Sequence, residues 1–294
     1  MAGRVRRDCS AVMWRWWLPM LIWASLSGCS SYQLAYNHLD RLLFSWVEDY
    51  VDLTSAQRAV LEPQVQQWHT QHRQTQLPRY KDLLVAMRTG LQSAPLDAVL
   101  AEQWQAEAET RWLELRSSLV PLSITLLEQL DIAQQQALLK ALRRRIEVQR
   151  DEYLERTPAE QAEHLEDLYR QRMKRWIGRL DHSQSRDLNR LVVTLTNAEG
   201  LWLGYRRRWV DALEQALIVR SNRHEFEKQI TALTLSPQSL LTAAQRAAMA
   251  ASRRQRGEYL LALVNGLSVS QRDQLLSELD ALIEAAEQLL QSQD

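Results

Sequence analysis

Apolar residues recur at helical spacing along nearly the whole chain. In YQLAYNHLDRLLFSWVEDYV, the side chains that share one helical face are Leu39, Leu42, Leu43, Trp46 and Val47. Three longer segments repeat this spacing, and residues with a high helix propensity dominate all of them. The pattern predicts an all-α fold, an elongated bundle of about eight to ten long antiparallel helices.

Prolines, glycines and polar cap residues mark where the predicted helices end. We expect breaks near Pro78, Pro95, Thr157, Leu180, Pro237 and Gly266. Pro63 and Pro121 fall inside helical patterns, where a proline removes a backbone hydrogen bond, so they should kink or split their helices. The break at Thr157 allows two lobes that meet there.

Residues 1–28 have the pattern of a signal peptide. Four arginines precede an apolar run, Trp16–Leu26, that is too short to span a bilayer as a helix. The run ends in LSGC, which resembles the lipobox of bacterial lipoproteins. The resemblance implies cleavage between Gly28 and Cys29 by signal peptidase II, with acyl chains such as palmitate attached at Cys29. An ordinary secreted protein with a chance cysteine is the alternative.

This interpretation fixes the predicted domains and location. We expect a signal peptide at 1–28, a lipidated N-terminus and short tether at 29–33, and a helical domain at 34–294. By the sorting rule of lipoproteins, Ser30 favours the outer membrane, facing the periplasm, over the inner membrane. Cys9 leaves with the signal peptide, so the mature chain can form no disulfide.

The charge balance limits the possible partners. The chain has 36 basic and 36 acidic residues, and the predicted cleavage removes four arginines and one aspartate. The mature protein is therefore slightly acidic, which argues against nucleic acid as a partner. No mature apolar run is long enough to cross a bilayer, so the N-terminal lipid is the predicted membrane contact.

One helix-start pattern occurs five times: Leu, then Thr, Asp or Ser, two residues, and Gln. The polar residue after the leucine is a predicted N-cap, and the glutamine at N3 completes a capping box. The caps and glutamines are Thr54 and Gln57, Asp131 and Gln134, Asp181 and Gln184, Thr242 and Gln245, and Ser268 and Gln271. Position N4 is never apolar, so each leading leucine must pack on another element.

Two of these starts, at Leu53 and Leu241, read Leu-Thr-x-x-Gln. This signature is similar to that of periplasmic stress chaperones and metal-stress sensors of the Spy/CpxP type. The similarity implies a holdase-like use of a concave apolar surface. Capping boxes alone produce the same pattern, so a purely structural explanation stands beside the functional one.

A second resemblance covers the N-terminal part of the mature chain. The segments YNHLDRLLFSWVEDYVDLTSAQ (36–57) and WHTQHRQTQLPRY (68–80) resemble an uncharacterised family of proteobacterial lipoproteins, known as a domain of unknown function. The resemblance implies a lipid-anchored helical envelope protein and supplies no activity.

Candidate metal chemistry centres on His69 and His72, which are i, i+3 neighbours. A zinc site needs three or four ligands, and no complete set is evident, so we predict no metal and no cofactor. The alternative is a pair of exposed polar histidines beside a buried Trp68. Metalloprotease, serine-hydrolase, phosphate-loop and dinucleotide motifs are missing from the sequence, so we predict no catalytic residue.

A basic triplet is the remaining candidate site. Arg206, Arg207 and Arg208 lie between Tyr205 and Trp209, and they could contact phosphate-bearing lipid headgroups. A solvated helix face with acidic neighbours is the alternative.

Together these features predict a lipid-anchored periplasmic protein that binds a protein or an envelope component and is not an enzyme. A holdase-like stress chaperone is the alternative function. A metal-dependent or hydrolytic enzyme built from scattered residues is the third.

Overall fold

The computed structural model describes residues 29–93 and 95–292, and that part of the chain is built almost entirely of helices. The predicted all-α bundle is confirmed. The helices are α1 Cys29–Asn37, α2 Leu39–Glu48, α3 Ser55–Thr75, α4 Leu77–Gln92, α5 Ala98–Gln129, α6 Ile132–Glu155, α7 Pro158–Ile177, α8 His182–Ile218, α9 Arg223–Leu235, a 3₁₀ helix Pro237–Leu240, α10 Ala243–Asn265 and α11 Val269–Gln291. The predicted signal peptide, residues 1–28, and the Cys29 side chain lie outside the described residues.

Most predicted breaks coincide with helix ends. Thr157 is the N-cap of α7, and Gly266 follows the last residue of α10. Pro78 stands in the first turn of α4, where its missing N–H costs nothing. Pro63 and Pro121 lie inside α3 and α5, and both helices continue through them, so neither proline splits its helix.

The 37-residue helix α8 joins the two larger hydrophobic clusters. Its first half packs Leu188 and Val192 against α7 and α10. Its second half packs Val210 and Leu213 against α5, α6 and α9, around the fully buried Phe226. The predicted division into two lobes near Thr157 stays a prediction. Helix α8 contributes residues to both of the larger hydrophobic clusters.

Helices α1 and α11, the first and last of the described residues, pack together. Tyr36 of α1 lies in a cluster with Leu77 of α4 and with Ala286 and Leu289 of α11, and each of the four is at most 3% exposed. The N-terminal helix is therefore held by residues from the other end of the chain. Among the described residues, no helix combines the length and apolar character needed to cross a bilayer.

Helix α2 carries more apolar surface than the core covers. Phe44 is buried, and Leu43 and Val47 pack against neighbouring clusters. Leu42 and Trp46 remain 50% and 46% exposed. These two residues share a helical face with Leu43 and Val47, but that face is wider than the contact that α2 makes with α3 and its neighbours.

Candidate functional site

A histidine buried between two tyrosines joins α1, α3 and α4. The Tyr36 hydroxyl lies 2.8 Å from Nδ1 of His72, and the Tyr80 hydroxyl lies 3.3 Å from Nε2 of the same ring. His72 is only 7% exposed. Both ring nitrogens are therefore engaged by hydroxyl groups from two different helices.

The position of His72 follows from the spacing of α3. Leu61, Val65 and Trp68 form the buried stripe of this helix, and His72 continues it one turn later. Trp68 lies with its ring 5.3 Å from that of His72 and donates Nε1–H to the Ser118 hydroxyl at 2.9 Å. The alternative of two exposed histidines is wrong for His72, whereas Trp68 is buried as expected.

His69 and Arg73 approach Tyr36 as well. The His69 ring lies 4.9 Å from the Tyr36 ring, and its buried Nε2 has no hydrogen-bond partner. The Arg73 guanidinium lies 5.4 Å from the centre of the Tyr36 ring and donates to the side chain of Asn37 and the carbonyl of Ser292. Arg73 thus links α3 to both ends of the described chain.

Burial keeps this cluster largely neutral. Desolvation, with a smaller contribution from His69, lowers the pKa of His72 to about 4. Desolvation and then the Arg73 charge lower the pKa of His69. Desolvation raises the pKa of Tyr36, and it raises the pKa of Tyr80 to about 12. Near neutral pH both imidazoles are uncharged and both phenols keep their protons.

The arrangement suits a structural contact between α1, α3 and α4 that acid weakens. With both nitrogens engaged and the ring buried, His72 presents no free position to a metal ion or a dissolved substrate. Within the described part of the chain, no three His, Cys, Asp or Glu side chains converge as a metal site would require. Protonating His72 would leave the ring with two N–H donors, so both tyrosines would have to accept.

The glutamines of the helix starts form a second feature, in which two starts bind each other. Gln57 donates from Nε2 to Oε1 of Gln134 and to the Gln129 carbonyl, both at 2.7 Å. Gln134 donates from Nε2 to Oε1 of Gln57 at 2.8 Å and to the Asp52 carbonyl at 2.7 Å. Each glutamine oxygen also accepts from the backbone N–H of its own cap, Thr54 or Asp131.

The same arrangement occurs a second time. Gln184 and Gln271 exchange two amide hydrogen bonds of 2.9 Å. Gln184 also donates to the carbonyl of Gly266, and Gln271 to that of Arg179. In all four cases the carbonyl belongs to the residue two positions before the partner's N-cap. The capping box therefore uses only part of each amide, and the rest fixes one helix start against another.

The fifth start pairs with an arginine. Gln245 donates to the Leu201 carbonyl on α8, and its oxygen accepts from Arg208. Arg208 also donates Nε–H at 2.9 Å to the carbonyl of Leu240, two positions before the cap Thr242. In the two glutamine pairs, the partner glutamine donates to the glutamine oxygen and to the carbonyl before the cap. At the fifth start Arg208 donates to both of these groups.

The structure separates the three arginines of the basic triplet. Arg208 faces the fifth helix start, Arg206 donates to the side chain of Gln149 on α6, and Arg207 is exposed. Burial raises the pKa of the adjacent Tyr205 to about 12. Two of the three proposed headgroup contacts thus have partners inside the protein.

Sequence reasoning missed one further capping box. Thr157 accepts from the backbone N–H of Glu160, and the Glu160 carboxylate accepts the Thr157 N–H at 2.7 Å. It has glutamate instead of glutamine and no leucine before the cap, so the motif did not include it. The leading leucines of the five motifs do reach the core. Leu130 and Leu241 are 1% and 6% exposed, and the other three are partly buried against core clusters: Leu53, Leu180 and Leu267.

The family comparison spans most of these features. A family model, described as a family of unknown function (DUF6279), matches residues 49–246. The chain belongs to this family. The DUF6279 match includes four of the five helix-start glutamines and the α3 residues Trp68, His69 and His72, and it excludes Tyr36 and the start at Ser268. Membership of an uncharacterised family, predicted from the sequence, is confirmed. No curated protein and no solved structure matches the chain.

Proposed function

We propose that the protein is a lipid-anchored, non-catalytic binding protein of the bacterial envelope, at the outer membrane and facing the periplasm. The observation that supports this most directly is the position of α1. The helix begins at Cys29, the predicted lipidation site, and Tyr36 is already buried in the core. Seven helical residues span about 10 Å.

A packed helix at the lipidation site differs from a flexible tether. A linker of disordered residues lets a domain explore the periplasm, whereas a helix packed on the body holds the body next to the lipid. The packing of Tyr36 against Ala286 and Leu289 supports the second arrangement. The partner, a protein or another envelope component, then has to be bound at the membrane surface.

Two observations favour binding over the other functions. His72, the histidine with the most strongly shifted pKa, is buried and has both nitrogens occupied. The motif shared with Spy/CpxP-type proteins has its own structural use, because the Gln57 and Gln245 amides donate to groups within the fold. The holdase alternative therefore loses the argument drawn from that motif.

The anchor is tested by metabolic labelling with a palmitate analogue, followed by membrane fractionation. We expect Cys29→Ser to abolish labelling and release the protein from the outer-membrane fraction. Cys9→Ser is the matched control, since that residue lies within the predicted signal peptide, and it should label like the wild type. Equal labelling of wild type and Cys29→Ser would refute the lipid anchor.

Binding is tested by placing a photo-cross-linking residue, one at a time, at exposed apolar positions on α6, α8 and α10. Suitable positions are Ile132, Leu154, Ile218 and Leu260. A binding protein should give an adduct of one defined mass at some positions and none at others. Uniform absence of adducts in intact cells would contradict the proposal.

A further inference from the structure

Three apolar side chains follow one line along the surface of α1 and α2. Leu34 is 61% exposed, Leu42 50% and Trp46 46%. We call Leu34, His38, Leu42 and Trp46 the α1–α2 row. Among the described tryptophans, Trp46 is the one that is exposed.

The row is continuous although α1 and α2 are separate helices. His38 donates its backbone N–H to the Leu34 carbonyl at 3.2 Å, and Leu42 donates to the His38 carbonyl at 3.0 Å. The i, i+4 ladder thus passes through the junction, and Leu42 and Trp46 extend it by another turn. Residues at this spacing lie on one side of a helix.

The core does not need these side chains. The adjoining side of α2 supplies Leu43, Phe44 and Val47 to the interior. The ring of Trp46 lies 5.6 Å from that of Tyr50, measured between centres, and nearly half of the Trp46 surface is exposed to solvent. A leucine–leucine–tryptophan row on the surface is therefore available to an apolar partner.

We infer that the α1–α2 row rests in the lipid surface beside the anchor, a second membrane contact made by the protein itself. This inference depends on the proposed lipid anchor. Leu34 follows Cys29 by five residues of the same helix, about 8 Å along its axis. The anchored chain therefore holds the row within reach of the bilayer at all times.

The chemistry of the row selects the lipid interface as its partner. Tryptophan and leucine bury favourably at the boundary between headgroups and acyl chains. Charge attraction plays no part, because residues 33–50 contain one arginine and three acidic side chains. The contact should therefore form on neutral phosphatidylcholine and persist from about 0.1 M to about 1 M salt.

The test uses the lipidated mature protein, which begins at Cys29, with one reporter thiol. Cys29 is consumed by the lipid, so Leu42→Cys or Trp46→Cys provides a single site for a fluorophore. Leu154→Cys on α6 is the matched control, with a side chain that is 68% exposed. In vesicles of acyl-brominated phosphatidylcholine, the label should be quenched at positions 42 and 46 and not at 154. Adding Trp46→Gln to the Leu42→Cys protein should shift the docked-to-free equilibrium about tenfold towards free.

Each other outcome counts against the inference. A protein that enters the vesicles but is quenched nowhere keeps its anchor and lacks the lipid contact. Quenching that requires anionic lipid and disappears in salt would assign the contact to arginines. Protection of position 42 in native membranes but not in protein-free vesicles would assign the row to a protein partner. A protein that carries no palmitate and stays out of the vesicles would refute the anchor as well.

Discussion

Gln57 and Gln134 lie 77 residues apart at two helix starts, and each donates a side-chain N–H to the side-chain oxygen of the other. Each amide uses both lone pairs of its oxygen and both of its N–H groups. A capping box needs only the oxygen. The structure therefore distinguishes glutamine from glutamate at these positions, which local helix capping does not.

Gln57→Glu should lower the free energy of unfolding by about 1–3 kcal/mol. The carboxylate keeps the cap but removes two donors, and it faces the Gln129 carbonyl and the Gln134 oxygen instead. Thermal or urea unfolding measures the effect. Glu160→Gln is the matched control, because that capping box is exposed. Equal stabilities of the two variants would contradict the pairing.

Stability should fall in acid because of His72. Its pKa is about 4 in the fold, against about 6.5 in the unfolded chain, so between these values the unfolded chain binds the extra proton. The free energy of unfolding is highest above pH 6.5 and loses about 3 kcal/mol from this group by pH 4. Lowering of the His69 pKa acts in the same direction.

The variant that tests this is His72→Phe, compared with the wild type by urea unfolding at a series of pH values. The free energy of unfolding of the wild type minus that of His72→Phe should be constant above pH 6.5. Below pH 6.5 this difference should fall, because only the wild type loses the contribution of His72. His224→Gln changes an exposed histidine and should follow the wild type. Parallel pH curves for wild type and His72→Phe would show that His72 does not carry the dependence.

Gly90 and Gly257 should respond oppositely to alanine. A Cβ at Gly90 would lie 2.5 Å and 2.7 Å from two ring carbons of Trp104, a rigid side chain. A Cβ at Gly257 would meet only the Gln105 side chain, at 4.0 Å. Gly90→Ala should cost about 1–3 kcal/mol through overpacking, and Gly257→Ala should gain about 0.5–1 kcal/mol from helix propensity. Thermal melting distinguishes the two signs, and a gain in both would rule out close packing at Gly90.

Leu289→Ala should loosen α1 more than the rest of the fold. Leu289 is fully buried beside Tyr36, and its truncation should cost about 2–5 kcal/mol. Hydrogen exchange should accelerate first in the amides of α1. Leu260→Ala, at a half-exposed position of α10, should change stability by about 0.5 kcal/mol or less. Unchanged exchange in α1 would mean that α11 does not hold it.

Local sequence rules predicted the all-helical fold and five of the six capping boxes among the described residues. Apolar spacing of 3.6 residues and short-range capping involve neighbours in the chain, and both are legible in a sequence. The amide pairs were not predictable, because the partner of Gln57 lies 77 residues away and the partner of Gln245 is an arginine. Pattern alone also could not show that Trp46 would remain exposed while Val47 is covered, since both fit the same stripe.

The histidine cluster shows a similar limit. The spacing from Leu61 to Trp68 extends to His72, yet a polar residue on a buried stripe is stable only if its partners arrive from elsewhere. Those partners, Tyr36 and Tyr80, come from two other helices. Burial of His72 therefore depends on tertiary contacts, whereas its residue type alone favours an exposed side chain.

The contact between α1 and α11 sets the order in which the molecule can be completed. The Gln33 side chain donates to that of Gln288, a separation of 255 residues. Contacts between residues so far apart in sequence form late and slowly, because the entropy of closing a long loop is lost before the contact stabilises the fold. Helix α1 is synthesised long before α11, yet it can complete its packing only after α11 has formed. A chain that ends before α11 would lack the residues against which Tyr36 packs, so α1 would have no such contact.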